Sequence, residues 1–328
     1  MKKGIFPVLA VIASCSAMAQ SNVTLSGALA IGLKHTSAKS DGTPSKTGID
    51  NLDSVANNFT IRATEDLGGG LKANVLLNYR FDPDTGATNY GHDFFANTKL
   101  SLSGGFGEIS MGRFNGPVDF LLRPPFDIYT MSPVVYGALM DAPTRYNGTL
   151  MYQTPEISGF TAAVSHVPKA EMASQKVETT EVAIRYRSGP LALGIGLTKN
   201  AGTFVHAKDN AEGKDVLTVG AAYDFGVAKL ALTYTNVDAY MRGTELVRES
   251  DRWSSALRMP INTATQLKLG YEQQKFKGGT ATNGVAIGAE HSISRRTLVF
   301  ADVSKVDSDI AKLDEKNLSY LMGIRHSF

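Results

Sequence analysis

The chain has 328 residues, 43% of them hydrophobic and 20% charged, with one cysteine and a formal net charge of +2. Setting aside Lys2 and Lys3, which open an apolar leader, leaves 31 basic against 31 acidic residues. Without a basic excess it is no candidate for a nucleic-acid binder, and 32 glycines with a mean hydropathy just below zero fit neither a disordered chain nor a helical membrane protein.

The first element is the leader. Lys2 and Lys3 precede an apolar stretch from Ile5 to Ala13, and Ala17 and Ala19 flank Met18. This is the layout of a secretory signal peptide over residues 1–19, cleaved before Gln20, with residues 20–328 as the exported domain. Ile12-Ala13-Ser14-Cys15 also has the look of a lipoprotein cleavage site, which would leave Cys15 lipidated. If the ordinary site is used, the only cysteine departs with the leader and the mature chain has no disulfide.

Beyond the leader no run of 18 apolar residues exists, so no helix is expected to span a bilayer. What recurs is a segment of about ten residues in which apolar and polar positions alternate, the pattern of a strand with two different faces. Leu71, Ala73, Val75, Leu77 and Tyr79 oppose Lys72, Asn74, Leu76, Asn78 and Arg80. Leu217, Val219, Ala221 and Tyr223 oppose Val216, Thr218, Gly220, Ala222 and Asp224. Leu230, Leu232 and Tyr234 oppose Lys229, Ala231, Thr233 and Thr235, and Leu267, Leu269 and Tyr271 oppose Gln266, Lys268, Gly270 and Glu272. Short connections such as Gly68-Gly69-Gly70 and Ser188-Gly189-Pro190 alternate with long ones at about 35–55, 83–92, 115–144, 168–177, 202–214, 241–250, 277–282 and 308–316. Tight turns at one end and long loops at the other describe an all-β, antiparallel, up-and-down meander of about 16 strands, in the range of transmembrane β-barrels. A soluble sandwich or barrel would alternate too. Against it stand the length of the meander, Tyr and Phe at strand ends, and a chain that stops on a strand with Phe328.

The last strand, Tyr320 to Phe328, reads YLMGIRHSF, with Tyr320, Met322, Ile324, His326 and Phe328 on one face. It resembles the closing strand of general porins of beta-proteobacterial and neisserial type, G-[LIM]-R-H-x-F. Residues 64–73 resemble that family's T-E-D-L-G-x-G-L-x-A hairpin, and residues 102–107 with Met111-Gly112-Arg113 its L-S-G-x-F-G…G-R. Residues 145–160 are similar to R-x-x-N-x-x-x-Y-x-[ST]-P-x-x-x-G-F, and Val23-Thr24-Leu25-Ser26-Gly27 to V-T-L-Y-G, with Ser26 in place of Tyr. The resemblance implies a sixteen-stranded barrel in the outer membrane of a Gram-negative bacterium, usually a homotrimer, with a water-filled pore in each subunit and a long third loop folded inward. It implies passive diffusion of small hydrophilic solutes and ions, outer-membrane lipid and lipopolysaccharide as surroundings, and the barrel-insertion machinery as reader of Phe328 and Tyr320. No cofactor, metal or energy source follows from it. In this chain the third loop is residues 115–144, the longest connection, with Pro117, Pro124, Pro125, Pro133 and Pro143 among Phe120, Phe126, Tyr129 and Tyr136.

In the family a basic wall faces acidic residues on the inward loop, and the field between them sorts solutes. Arg145 matches the wall arginine of the sixth strand, whereas Ala28, Asn58 and Ala96 stand where relatives often carry Lys or Arg. Arg62, roughly 13 Å along the strand from Asn58, can substitute, as can Arg80, Lys99 and Arg113 from neighbouring strands and Arg123 on the loop. The acidic candidates are Asp119, Asp127 and Asp141, chosen by loop position because the family's P-E-F-G-G motif is missing. Gly194 and Gly196 share an inner face, as room for solute or as points of strand curvature. The six histidines lack metal-ligand spacing, and no G-x-S-x-G elbow or P-loop occurs, so an enzyme is not expected. The other readings are a substrate-selective porin and a non-conducting adhesin barrel.

Overall fold

The computed structural model of the chain describes residues 22–37, 44–50, 57–88, 95–129, 145–168, 178–201, 214–238, 240–242, 245–247, 249–308 and 317–328. In chain order the strands are β1 (Asn22–Thr36), β2 (Lys46–Asp50), β3 (Asn58–Gly68), β4 (Leu71–Arg80), β5 (Asn97–Gly104) and β6 (Gly107–Asn115), followed by the helix α1 (Pro117–Phe126). They continue as β7 (Arg145–Gln153), β8 (Phe160–Val167), β9 (Thr179–Ser188), β10 (Leu191–Ala201), β11 (Lys214–Asp224) and β12 (Lys229–Val237). A separate hairpin of β13 (Tyr240–Arg242) and β14 (Glu245–Val247) precedes β15 (Ser250–Pro260), β16 (Thr265–Phe276), β17 (Ala281–Ser292), β18 (Thr297–Ser308) and β19 (Asn317–Ser327).

Apart from β2 and the hairpin, the strands form a closed wall of sixteen, each antiparallel to its neighbours. Closure is made by β19 against β1, from Ala28 opposite Ser327 to Thr36 opposite Ser319. The last residue takes part, since Gly27 N–H donates to the Phe328 carbonyl and Phe328 N–H to the Gly27 carbonyl, both at 3.0 Å. A side chain on Gly27 would collide with the Phe328 ring, at 2.5 Å, so the glycine leaves the terminal aromatic its place. On its other edge β1 meets two partners, β3 from Asn22 to Ala28 and β2 from Gly32 to Thr36. Residues 46–50 therefore extend the wall, although the sequence reading assigned them to a 35–55 loop. Ile49 is their one large apolar residue, too little for a period of two to register.

Side-chain alternation follows the wall. Leu193, Ile195 and Leu197 of β10 lie on the exposed outer face, while Ala192, Gly196 and Thr198 are buried inside. The outer apolar skin ends in paired aromatics, Phe59 with Tyr79 (5.0 Å between centroids), Tyr223 with Phe225 (4.7 Å) and Tyr234 with Trp253 (4.6 Å). Such rings suit the boundary between hydrocarbon and water. The tight turns demand left-handed backbone, as at Gly226 (φ 81°), whose N–H is held by Asp224 Oδ1 at 2.8 Å. The largest cluster of buried apolar side chains lies inside the barrel, where α1 packs against β8 to β12.

Val219 sits mid-strand on the outer face of β11. Val219→Arg is expected to destabilise the barrel by about 2–4 kcal/mol if this face meets lipid, seen as a lower denaturant midpoint in lipid vesicles. The folded protein should also migrate differently in detergent gels before and after boiling.

Candidate functional site

The lumen is occupied by residues 116–129. Gly116 is the N-cap of α1 with extended backbone and Pro117 opens the first turn, a position that needs no N–H. Gly116 has no side chain to satisfy the free N–H groups of that turn. The wall supplies the acceptor instead. Glu181 of β9, 2% exposed, faces the Val118 N–H and accepts hydrogen bonds from Tyr146 Oη (3.2 Å) and Thr198 Oγ1 (2.9 Å). Its carboxylate lies against Gly116, where a β-carbon would collide with it.

The apolar side of α1, Val118, Leu121, Leu122 and Phe126, is buried, and each such side chain contributes about 1.5–3 kcal/mol. Small residues on the inner face of the wall make room for it. A β-carbon on Gly194 would stand 2.5 Å from Leu122 Cδ2, on Gly196 2.8 Å from Val118 Cγ2, and on Gly220 2.5 Å from Phe126 Cδ2. Ala183, Ala192, Ala222, Ala231, Ala256 and Ala286 join the same cluster. Gly194 and Gly196 thus admit a helix, an outcome that neither solute space nor strand curvature anticipated.

Past α1 the segment crosses to the far wall. Tyr129, 1% exposed, donates from Oη to Asp302 Oδ1 on β18 at 2.8 Å. Burial, and then the neighbouring Asp302 carboxylate, push the Tyr129 phenol well above its ordinary range, so it remains a donor. Lys268 of β16 is fully buried, with Nζ 2.9 Å from Glu290 Oε1, 3.6 Å from Asp302 Oδ1 and 4.8 Å from the centroid of the Tyr129 ring. Gly288 on β17 has no β-carbon to crowd the Tyr129 hydroxyl. Residues 116–129 form a strap, held at β9 and again at β16–β18.

The sequence-derived candidates are placed as follows. Arg62 points inward and donates to Ser26 Oγ at 3.1 Å. Arg62 and Lys99 pair on either side of Leu76, which puts them on one inward rung of β3 and β5. Lys99 Nζ is 2.6 Å from Glu108 Oε1. Arg80 lies one inward rung beyond Asn78, the partner of Asn97, and Arg145 Nε donates to Asn97 Oδ1 at 2.8 Å. Arg113 takes the outward parity of Ile109 and Met111 and donates to Asn147 Oδ1 at 2.5 Å. Arg123 pairs with Asp119 (Nε to Oδ1, 2.6 Å) and Asp127 (Nη1 to Oδ2, 3.6 Å), one turn away on either side, so two carboxylates of the strap share one guanidinium. Asn115 also donates to Asp119. Tyr320 and Phe328 face outward, and Asp141 lies outside the described residues. Glu181, Lys268, Glu290 and Asp302 were missed. Their signal was partial: Glu181 and Glu290 are charged residues on inner faces that carry Thr179 and Ala183, and Ala286 and Gly288, beside them.

Comparison with known proteins agrees with this geometry. The model of a Gram-negative porin family matches residues 8–311. Outer membrane porin protein 32 of Delftia acidovorans is 28% identical, with all of both chains covered. Major outer membrane protein P.IB of Neisseria lactamica is 24% identical, again over all of both chains. An anion-selective porin from Comamonas acidovorans shares the fold at a TM-score of 0.80, with 23% identity, 94% of this chain covered and 100% of the other.

Because the strap needs a flat wall, Gly220→Leu should overpack the Phe126 contact and destabilise the folded barrel by about 1–3 kcal/mol. Thermal unfolding followed by circular dichroism measures this, and Gly220→Ala should show a smaller loss.

Proposed function

This chain belongs to the Gram-negative porin family, and on that premise we propose that its lumen selects solutes with a basic wall facing a strap whose two carboxylates share one arginine. The protein is an outer-membrane channel through which small hydrophilic solutes and ions diffuse down their gradients. A substrate-selective porin and an adhesin barrel are not favoured.

The observation that carries the charge filter is that Arg62 and Arg80 share the inward parity of β3 and β4 and Arg145 reaches the inward Asn97, whereas Lys99 is paired with Glu108 and Asp119 and Asp127 turn to Arg123. Since α1 packs against β8 to β12, the hydrated path runs along β1 to β5. Arg62, Arg80 and Arg145 line it, while Arg123 of the strap is engaged by Asp119 and Asp127. Low-dielectric walls focus the field of such cations on whatever passes, which draws small anions and holds back cations. The description of the Comamonas acidovorans neighbour as anion-selective supports this preference. The outward parity of Arg113 argues for leaving it out of the filter.

The same reading has residues 1–19 removed as a signal peptide, residues 20–328 inserted by the barrel-insertion machinery through Phe328 and Tyr320, and the product assembled as a homotrimer among outer-membrane lipid and lipopolysaccharide. It has no catalytic step. The outward aromatic at the terminus, bonded to Gly27, supports the role of Phe328.

Reversal potentials in planar bilayers under a salt gradient test the filter. Arg62→Ala combined with Arg145→Gln should lower the anion-to-cation permeability ratio several-fold at low salt and less at high salt, because exposed charges are screened. An unchanged ratio would remove both residues from it.

A further inference from the structure

We propose that the tight-turn mouth of the lumen carries a second binding station, formed by Arg187, Lys229 and Arg258, for small oxyanions that bear more than one charge. The proposal rests on the channel reading and adds to it a ligand class and a place outside the constriction.

The three cations share the inner face of the wall. Arg187 of β9 stands opposite the buried Ala192, and Lys229 of β12 and Arg258 of β15 follow the inner parity of the buried Ala231 and Ala256. Each lies close to a tight turn: Gly189 follows Arg187, Gly226 precedes Lys229 and Pro260 follows Arg258. In outer-membrane barrels such short turns face the periplasm. Lys229 and Arg258 are one inward step nearer the turns than Ala231 and Ala256, which belong to the apolar cluster of α1. The station is therefore on the periplasmic side of that cluster, and its strands carry none of Arg62, Arg80 and Arg145.

Stability of the wall does not call for this arrangement. Lys229 pairs directly with Arg258, and Arg258 directly with Lys268, which sets three cations in a row across β12, β15 and β16. Like charges directly opposite one another destabilise a ladder. Elsewhere inward cations are answered at contact, Lys268 by Glu290 at 2.9 Å, Lys99 by Glu108 at 2.6 Å and Arg252 by Glu272 at 3.0 Å. Among the described residues Arg187 and Lys229 have no such ion pair, and Lys229 is repelled by both Arg258 and Arg187. Arg185, two residues before Arg187, adds to the positive field, with Glu156 as its nearby carboxylate. Two further carboxylates face the group. Asp224 stands opposite Lys229 but its Oδ1 accepts the Gly226 N–H, and Glu290, 3.8 Å from Arg258 Nη2, is already held by Lys268. A monovalent ion can answer only one of the cations. An anion with charge spread over several oxygens can answer two or three, and the guanidinium fork matches phosphate and carboxylate oxygens.

Planar-bilayer recording of the oriented barrel tests this, with pyrophosphate as probe at matched ionic strength. Pyrophosphate added on the tight-turn side should reduce chloride conductance at a several-fold lower concentration than on the long-loop side, and acetate should not block. Arg187→Gln combined with Lys229→Gln should raise the half-blocking concentration roughly three- to tenfold, as loss of two partly exposed charge contacts implies. Asp224→Asn keeps the acceptor for the Gly226 N–H and removes the opposing charge. It should lower the half-blocking concentration, a gain that damage to the fold would not produce. Should the double variant lose heat-modifiable migration, Lys229→Gln alone is read beside Asp224→Asn. Arg62→Ala with Arg145→Gln should retain the block. Equal block by acetate, wild-type block in the folded Arg187, Lys229 and Asp224 variants, or loss of block with Arg62 and Arg145 would overturn the station and leave the channel standing. A wild type that conducts nothing would remove both.

Discussion

A sheet in hydrocarbon has no water to satisfy the groups along an open edge, so the pairing of β1 with β19 is the contact on which the rest depends. Nine residue pairs make it, and the terminal Phe328 adds a reciprocal pair of bonds to Gly27. The other ladders are local, joining strands adjacent in sequence or separated by only β2 or the β13–β14 hairpin. This one joins the two ends of the chain, and until it forms β1 and β19 each present an unpaired edge to the bilayer. Once it forms, the alternation of every strand resolves into an apolar outside and a mixed inside.

Closure leaves an interior to be arranged, and here the usual order is inverted. The hydrophobic cluster of this molecule is within the lumen, where Leu121, Leu122, Phe126 and Tyr129 of the strap meet a belt of glycine and alanine. The belt also has a polar frame, since Glu181 serves the start of α1 and Asp302 its far side. Apolar packing thereby fills the side of the lumen along β8 to β12. Position, more than composition, decides which charges a solute meets. Arg123 lies in the constricting segment, but its charge is taken up by Asp119 and Asp127.

Much of this was legible in the residues. The alternation of Leu217, Val219 and Tyr223 with Thr218, Gly220 and Ala222 specifies a two-faced strand, because side chains of a pleated strand must point to opposite sides. The motifs from Val23 to Phe328 specified the family. Residues 46–50 were not legible as strand, since they pair with β1 through backbone bonds and carry one apolar side chain. The helix was hidden by its own composition: prolines at 117, 124 and 125 read as a stiff loop, and its N-terminal acceptor comes from a residue 64 positions after Pro117. Arg113 shows a different limit. Parity along β6 turns it outward, yet counting parity across the connection from β5 requires knowing where the turn at Gly105 ends.

By itself, then, the amino-acid order determined a two-faced meander of about sixteen strands and its tight and long ends, because these depend on periodicities of a few residues, and the resemblance of its motifs implied a porin. Only the tertiary structure decided which inner-face residues meet, for those meetings join Tyr129 to Asp302, Tyr146 to Glu181 and Arg145 to Asn97. Such contacts are set by the curvature and register of a closed wall, which no single strand contains. For the same reason Gly194 and Gly220 were visible as small residues, while their purpose became clear only with Leu122 and Phe126 in place.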